Sequence, residues 1–370
     1  MRVLFCVKQD FYDTKGGMFI QITKTREFLL KLGLNCDITT THRGIKFENY
    51  DIIHLTDLTW VYDNIQYLRA INASKFGGKI ALSTIYWPLD DYAKNGAPFV
   101  QRSIARVFGL DGFERAKALA KGFKNWDYSY LRSVFQPSTK TQQAIIDVAD
   151  ILLPNSEIEM QKLRENFQIN KQVYEVVTNA VDPNNLSGSQ LLPFEARENA
   201  VAFVGRLDPR KNQYNFLRSV YHLDCKIIFI GNPGPNSRSY YRRLRNLAEK
   251  RGNVVFYEHL EQSEIFSILG STKVHALTSW VETPGLVSIE AALCGCNLVL
   301  CDKGSVREYF DEYGYYCDPD DLSSIREAVI KALEGPVDES LKFKINRQHT
   351  WEVAALQTLE AYKRIMHGLT

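Results

Sequence analysis

Two glutamates eight positions apart, Glu282 and Glu290, are the residues of this chain best placed to do chemistry. Between them Pro284-Gly285 marks a turn, and Leu286, Ile289 and Leu293 fall at helical spacing. Glu282 thus belongs to a loop ahead of a helix, and Glu290 lies about one turn into it. The first N–H groups of a helix lack intrahelical partners, and that end carries partial positive charge, so a phosphate settles there well. A phosphate seat with a carboxylate on either side suits a nucleotide-sugar. One carboxylate can accept from sugar hydroxyls and the other from a ribose diol. On spacing alone a chance pair is the simpler account, because a Glu near a helix N-terminus is already favoured by roughly 0.3–1 kcal/mol.

A second cluster changes that balance. Gly205 turns the chain after the apolar run Ala200–Val204, and Arg206 and Lys211 follow at the strand's exposed end. Two cations there can neutralise a diphosphate, Arg with a planar fork and Lys as a point charge. Alone this reads equally as a solvated basic turn. Together with Glu282 and Glu290 it favours a site.

The elements needed to position these residues recur along the chain. Val3–Val7 is an apolar run of buried-strand length, followed by Gly16-Gly17 and an amphipathic pattern from Ile20 to Leu32 that stops at Gly33. Strand, Gly-rich loop and helix open a doubly wound domain. No G-x-G-x-x-G is present, so a nicotinamide or flavin site is disfavoured. Further strands are expected at 51–55, 79–83 and 151–153, with Ser156 as N-cap of a helix over 157–167. Residues 183–198, rich in Asn, Ser, Gly and Pro, read as a linker. A second strand–helix series begins at Ala200, with strands at 226–230, 274–277 and 297–301. Asp318-Pro319-Asp320 could be mistaken for a metal-binding Asp-x-Asp, but Asp320 or Asp321 is a ready N-cap for a helix over 323–333.

Glu-x7-Glu, with Gly-Leu-Val after the first Glu and Glu-Ala-Ala-x-x-Gly at the second, resembles the signature of family-4 retaining glycosyltransferases of GT-B fold. Asn155-Ser156, Asn179-Ala180-Val181-Asp182 and Lys303-Gly304-Ser305-Val306-Arg307-Glu308 resemble other motifs of that family, with Ala180 and Ser305 where Gly is usual. The resemblance implies two Rossmann-like domains facing a cleft, over 1–182 and 199–351, with a final helix in 352–370 crossing back to the first. It implies a donor site in the second domain. There Arg206 and Lys211 hold and stabilise the pyrophosphate, Glu282 orients the donor sugar, and Gly285, Leu286 and Val287 offer the helix N-terminus. Glu290 would take the ribose, and His259 and Leu260 would lie by the nucleobase. The common Gly of that last loop is here Glu258. Gly17 would face the donor phosphates from the first domain, or be a plain turn glycine. Where many members carry a His facing the donor sugar, this chain offers Tyr86 or Trp87. An aromatic there can stack on a sugar face or pack under a loop. The resemblance further implies transfer with retention, no metal ion and no other cofactor, to a glycan or lipid-linked glycan acceptor.

Composition is compatible. The chain has 370 residues, 45% hydrophobic and 24% charged, with net charge +2, which suits two soluble domains and gives no bias toward polyanions. Seven cysteines without C-x-x-C spacing argue against a disulfide framework or zinc ribbon and fit a reducing cytoplasm. Met1–Lys8 reads as a first strand and not a signal peptide. Residues 98–135 are basic and aromatic, which suits an anionic membrane surface, an acceptor groove or ordinary surface helices. No nucleic-acid motif accompanies them. Rival functions are a non-catalytic nucleotide-sugar-binding subunit, a GT-B sugar-nucleotide epimerase, whose first-domain carboxylates cannot be placed, and a phosphorylase, which needs a pyridoxal-phosphate lysine and usually a longer chain.

Overall fold

A computed structural model describes residues 1–13, 16–59, 61–97, 102–103, 138–169, 173–186, 189–234 and 237–368. Most of the basic stretch 98–135 therefore lies outside the described residues. The chain divides into two compact units. The first takes the described residues of 1–88, 107–180 and 351–370, and the second those of 89–106 and 181–350.

The first unit is built on strands β1 (Arg2–Cys6), β2 (Asn35–Thr39), β3 (Ile52–Thr56), β4 (Lys79–Ser83), β5 (Ile151–Leu153) and β6 (Val173–Tyr174), in the order β2-β1-β3-β4-β5-β6. Every pairing is parallel. Ile52–Thr56 is buried at all five positions, as expected of a central parallel strand covered on both faces. β2 was not expected. It sits at the sheet edge with alternate residues exposed, so it carries no continuous apolar run. The first helix spans Gly17–Lys31, opening three residues earlier than its apolar pattern suggests. It ends where Gly33 takes φ +86° and Leu34 N–H returns to the Leu29 carbonyl at 3.1 Å, a Schellman closure. Ser156 caps Glu157–Asn166 by accepting from the Glu159 N–H.

The final helix, Trp351–Met366, belongs to this first unit and packs against Gly17–Lys31. Buried His54 on β3 bridges Tyr362 Oη at 2.5 Å and Ser83 Oγ at 2.7 Å, and Arg364 pairs with Glu175 at 2.8 Å.

The second unit contains β7 (Glu198–Val204), β8 (Lys226–Ile230), β9 (Val254–Tyr257), β10 (Thr272–Leu277), β11 (Asn297–Cys301) and β12 (Gly314–Cys317). Their order, β12-β11-β10-β7-β8-β9, is the 3-2-1-4-5-6 arrangement of dinucleotide-binding domains, again wholly parallel. Its core is tied by Phe203, Phe216 and Phe229, with ring centroids 5.3–6.2 Å apart. β12 was also unexpected, for the same reason as β2: it is an edge strand, mostly half-buried. All seven cysteines are buried free thiols. Among the described residues no helix is long and apolar enough to cross a membrane.

Candidate donor site at the switch point of the second sheet

In an open parallel sheet the crevice opens where strand order reverses, beyond the strands' C-terminal ends. Here that point lies between β7 and β10. Arg206 and Lys211 follow β7, and Glu282 follows β10. Topology thus brings together two clusters more than seventy residues apart.

The β7 loop is held by its backbone. Gly205 takes φ +147°. Leu207 N–H donates to Asn232 O at 2.9 Å and Gly234 N–H to Leu207 O at 3.1 Å, closing this loop onto the one after β8. Asp208 accepts from Lys211 N–H at 3.1 Å, capping the short turn Pro209–Lys211. Its other oxygen accepts from Arg206 Nε at 2.7 Å. Arg206 is therefore oriented from behind while its side chain stays 55% exposed. Asp208 was not among the residues expected from sequence. Its signal was local: an Asp followed by Pro at the first position of a turn.

Lys211 Nζ donates to Glu282 Oε1 in a close ion pair, and both side chains are largely buried. Burial alone would raise the Glu282 carboxyl, but the charges of Lys211 and Arg210 and the Lys211 hydrogen bond outweigh it and hold the carboxyl below its ordinary value. The same two loops are joined by Trp280 N–H to Arg210 O at 2.9 Å. Gly304 packs directly on Glu282: a side chain there would collide with the Glu282 carbonyl, and Ser305 N–H donates to that carbonyl at 3.1 Å.

Gly285, at φ +89°, leads into the helix Leu286–Leu293 without a side-chain cap on its first N–H groups. A Cβ on Gly285 would stand 2.8 Å from Leu277 Cδ2 and 3.3 Å from Glu282 Oε2. Leu286 and Val287 are half-buried on the first turn. Glu290, one turn on, keeps some surface but is crowded by its neighbours. Burial pushes its carboxyl up to about 7, offset in part by Gln262 Nε2, which donates at 3.0 Å. Nothing local in the sequence announced Gln262, which lies on another helix, Gln262–Ser271.

The other expected residues are placed as follows. His259 is exposed, 3.8 Å from Glu261, and Leu260 is half-buried against the second unit's core. Gly17 is exposed at the start of the first helix, in the first unit. Tyr86 is buried in that unit's core, edge-on to Phe167 with centroids 5.2 Å apart, so packing under a loop describes it and sugar stacking does not. Trp87 is half-buried. Asp321 caps Leu322–Glu334 by accepting from Ser323 N–H, and Asp318 accepts from Asp320 N–H at 3.0 Å, so that Asp-rich turn is a helix start.

Residues 190–350 match the family described as glycosyl transferases group 1. An N-acetylgalactosamine-N,N'-diacetylbacillosaminyl-diphospho-undecaprenol 4-alpha-N-acetylgalactosaminyltransferase of Campylobacter jejuni is 29% identical over 50% of this chain and 51% of its own. A D-inositol 3-phosphate glycosyltransferase of Corynebacterium urealyticum is 25% identical over 95% and 91%. The chain spans about half the length, or less, of the first curated relatives it matches. Among solved structures, sucrose-phosphate synthase of Thermosynechococcus elongatus superposes over 100% of both chains with TM-score 0.74 at 16% identity. An Anabaena protein in complex with UDP and glucose covers 100% and 99% with TM-score 0.63 at 14% identity. The fold is GT-B, and residues 190–350 are similar to glycosyl transferases group 1.

Proposed function

We propose that this chain is a retaining glycosyltransferase that moves a sugar from a UDP- or GDP-sugar to a glycan or lipid-linked glycan acceptor, without a metal ion. The observation that carries the reading is the buried Lys211–Glu282 pair beside the uncapped helix N-terminus, at the switch point of a dinucleotide-binding sheet.

The pair makes chemical sense as a site waiting for charge. An arriving diphosphate gives Lys211 a new anionic partner, which frees Glu282 to accept from donor sugar hydroxyls. As the bond from the anomeric carbon to the phosphate oxygen breaks, negative charge grows on that oxygen. Arg206, Lys211 and the first-turn amides of Leu286–Leu293 are donors already in place to take it, and preorganised donors are the largest single contribution an enzyme makes to such a step. The acceptor oxygen bonds on the face the diphosphate leaves, and its proton passes to the departing phosphate oxygen. Glu290 accepts from the ribose. The lipid-linked acceptor named for the Campylobacter jejuni relative supports a lipid-linked glycan acceptor. UDP in the Anabaena structure supports a uridine donor. A cytoplasmic enzyme resting on a membrane surface through 98–135 fits a lipid-linked acceptor.

A thermal-shift screen of UDP, GDP, ADP and their sugar conjugates tests the reading. One nucleotide and its conjugate should raise Tm by an amount set by affinity and ligand excess. No shift with any of them overturns it. A shift without turnover on any acceptor would make the chain a binding subunit.

A further inference from the structure

The second unit includes a segment from far upstream. The chain leaves the first unit after Pro88 and contributes the described residues of 89–106 to the second. Within it, Tyr92–Gly96 forms one wide π-type turn, closed by Ala97 N–H to Tyr92 O at 2.8 Å. Such turns are rare and are often found at functional sites.

This turn grips the backbone on both sides of Glu282. On one side, Asp91 pairs closely with Lys303 Nζ, and Asn95 Nδ2 steadies Asp91 at 2.7 Å. Lys303 also lies 3.7 Å from Asp318 and 5.3 Å above the Trp280 ring. Lys303 precedes Gly304, the residue packed on the Glu282 carbonyl. On the other side, Gly96 lies against Trp280, so close that a Cβ would stand 2.6 Å from the indole Nε1. Trp280 is only 2% exposed and two residues ahead of Glu282. The π-type turn also packs on Pro209–Lys211, which carries Lys211.

We infer that Asp91–Gly96 is a positioning element for the donor site: the Asp91–Lys303 pair and the Gly96–Trp280 contact fix the two strands of backbone that aim Glu282 at the donor sugar. The inference rests on the proposed glycosyltransferase reading and deepens it. Diphosphate binding is left to Arg206, Lys211 and the helix N-terminus, so the segment serves the sugar-dependent part of the reaction. An ordinary half-exposed ion pair adds little to stability and would leave turnover alone.

Asp91→Asn and Lys303→Gln, with the charge-swapped double variant Asp91→Lys/Lys303→Asp, separate the two. The probes are UDP and GDP by calorimetry, and UDP-glucose and GDP-mannose turnover with water as acceptor, read as nucleotide diphosphate released. Each single variant should hold the diphosphate Kd within twofold and keep the wild-type Tm within a few degrees, while kcat falls at least tenfold. The charge swap should recover a substantial part of that loss. Turnover within twofold of wild type in both single variants, with the diphosphate bound normally, overturns this inference and leaves the proposed function standing. A tenfold loss of diphosphate affinity also overturns it, by making the segment part of the phosphate seat. A wild-type chain that binds neither UDP nor GDP removes both readings.

Discussion

The C-terminal edges of the two sheets each hold a buried carboxylate, and the two are satisfied in opposite ways. In the second unit Glu282 faces a cation, Lys211, and stays below its ordinary titration range. In the first unit Glu159 is fully buried and accepts from the Thr84 hydroxyl, Tyr86 N–H at 2.8 Å and Asn155 N–H at 2.9 Å. Burial there wins over those hydrogen bonds, and its carboxyl rises to about 7. The Glu159 arrangement ties the end of β4 to the end of β5 and to Gln21 of the first helix, through Gln21 Nε2 to Asn155 Oδ1 at 2.8 Å. Its donors are all spent on structure. The Lys211–Glu282 pair is different: in the proposed reading each partner exchanges the other for a charged or hydroxylated ligand, so that no buried charge is left unmet. A buried carboxylate is thus a structural tie or a binding group according to whether its partner can be replaced by something from solution.

The contrast can be broken most strongly at Lys211. Lys211→Ala strands a buried Glu282, and losing one partner of such a pair costs about 3 kcal/mol. Urea unfolding should show that loss, and turnover should fall by at least about tenfold. Lys211→Met/Glu282→Leu should recover most of the stability and none of the activity, since removing both charges of a buried pair is often neutral for folding. Full activity in Lys211→Ala would end the assignment of that residue.

Glu159→Gln should do the reverse. It turns one acceptor oxygen into a donor facing backbone N–H groups, a mismatch worth about 1–3 kcal/mol. The expected result is a lower urea midpoint with kcat per folded molecule unchanged. A large loss of kcat at unchanged stability would place Glu159 in the site.

Arg206→Ala should lower turnover about tenfold, or ~1.4 kcal/mol of transition-state stabilisation. Because Arg206 is half-exposed, its removal should leave stability within about 0.5 kcal/mol. A variant that unfolds easily but turns over normally would assign Arg206 to the loop's structure.

The smallest effect is one of pH, at Glu290. A carboxyl whose value rises on folding binds its proton more tightly in the folded chain than in the unfolded one. Its stability contribution is therefore fullest near or below its ordinary value of 4.5 and is lost as pH climbs toward about 7. Glu290→Gln should remove its share of that slope and leave the share of Glu159, whose carboxyl also rises to about 7. Nucleotide affinity in the wild type should rise as pH passes through about 7, because the ionised carboxylate is the better acceptor for ribose hydroxyls. The same titration in Glu290→Gln should be flat, and an unchanged slope would take Glu290 out of the ribose site.

Much of this was written locally. The central strands announced themselves as apolar runs because a parallel strand covered on both faces must be apolar throughout, as at Ile52–Thr56 and Asn297–Cys301. Ser156 and Asp321 were legible as N-caps, since capping is settled within three residues. Gly285 and the apolar spacing of Leu286–Leu293 marked the turn and helix that flank Glu282. Edge strands β2 and β12 were not legible, because one exposed face dilutes the pattern.

Local sequence thus set the central strands, the capped helices, the doubly wound plan and the types of residue at the strand ends. Packing alone shows that Lys211 spends its charge on Glu282, that Asp208 aims Arg206, that Gln262 steadies Glu290 and that Tyr86 turns inward. Only it placed Asp91 beside Lys303 and Gly96 beneath Trp280. The physical reason is separation along the chain. Propensity, capping and periodicity act over a few residues, whereas these contacts join loops brought together by the strand order of a parallel sheet.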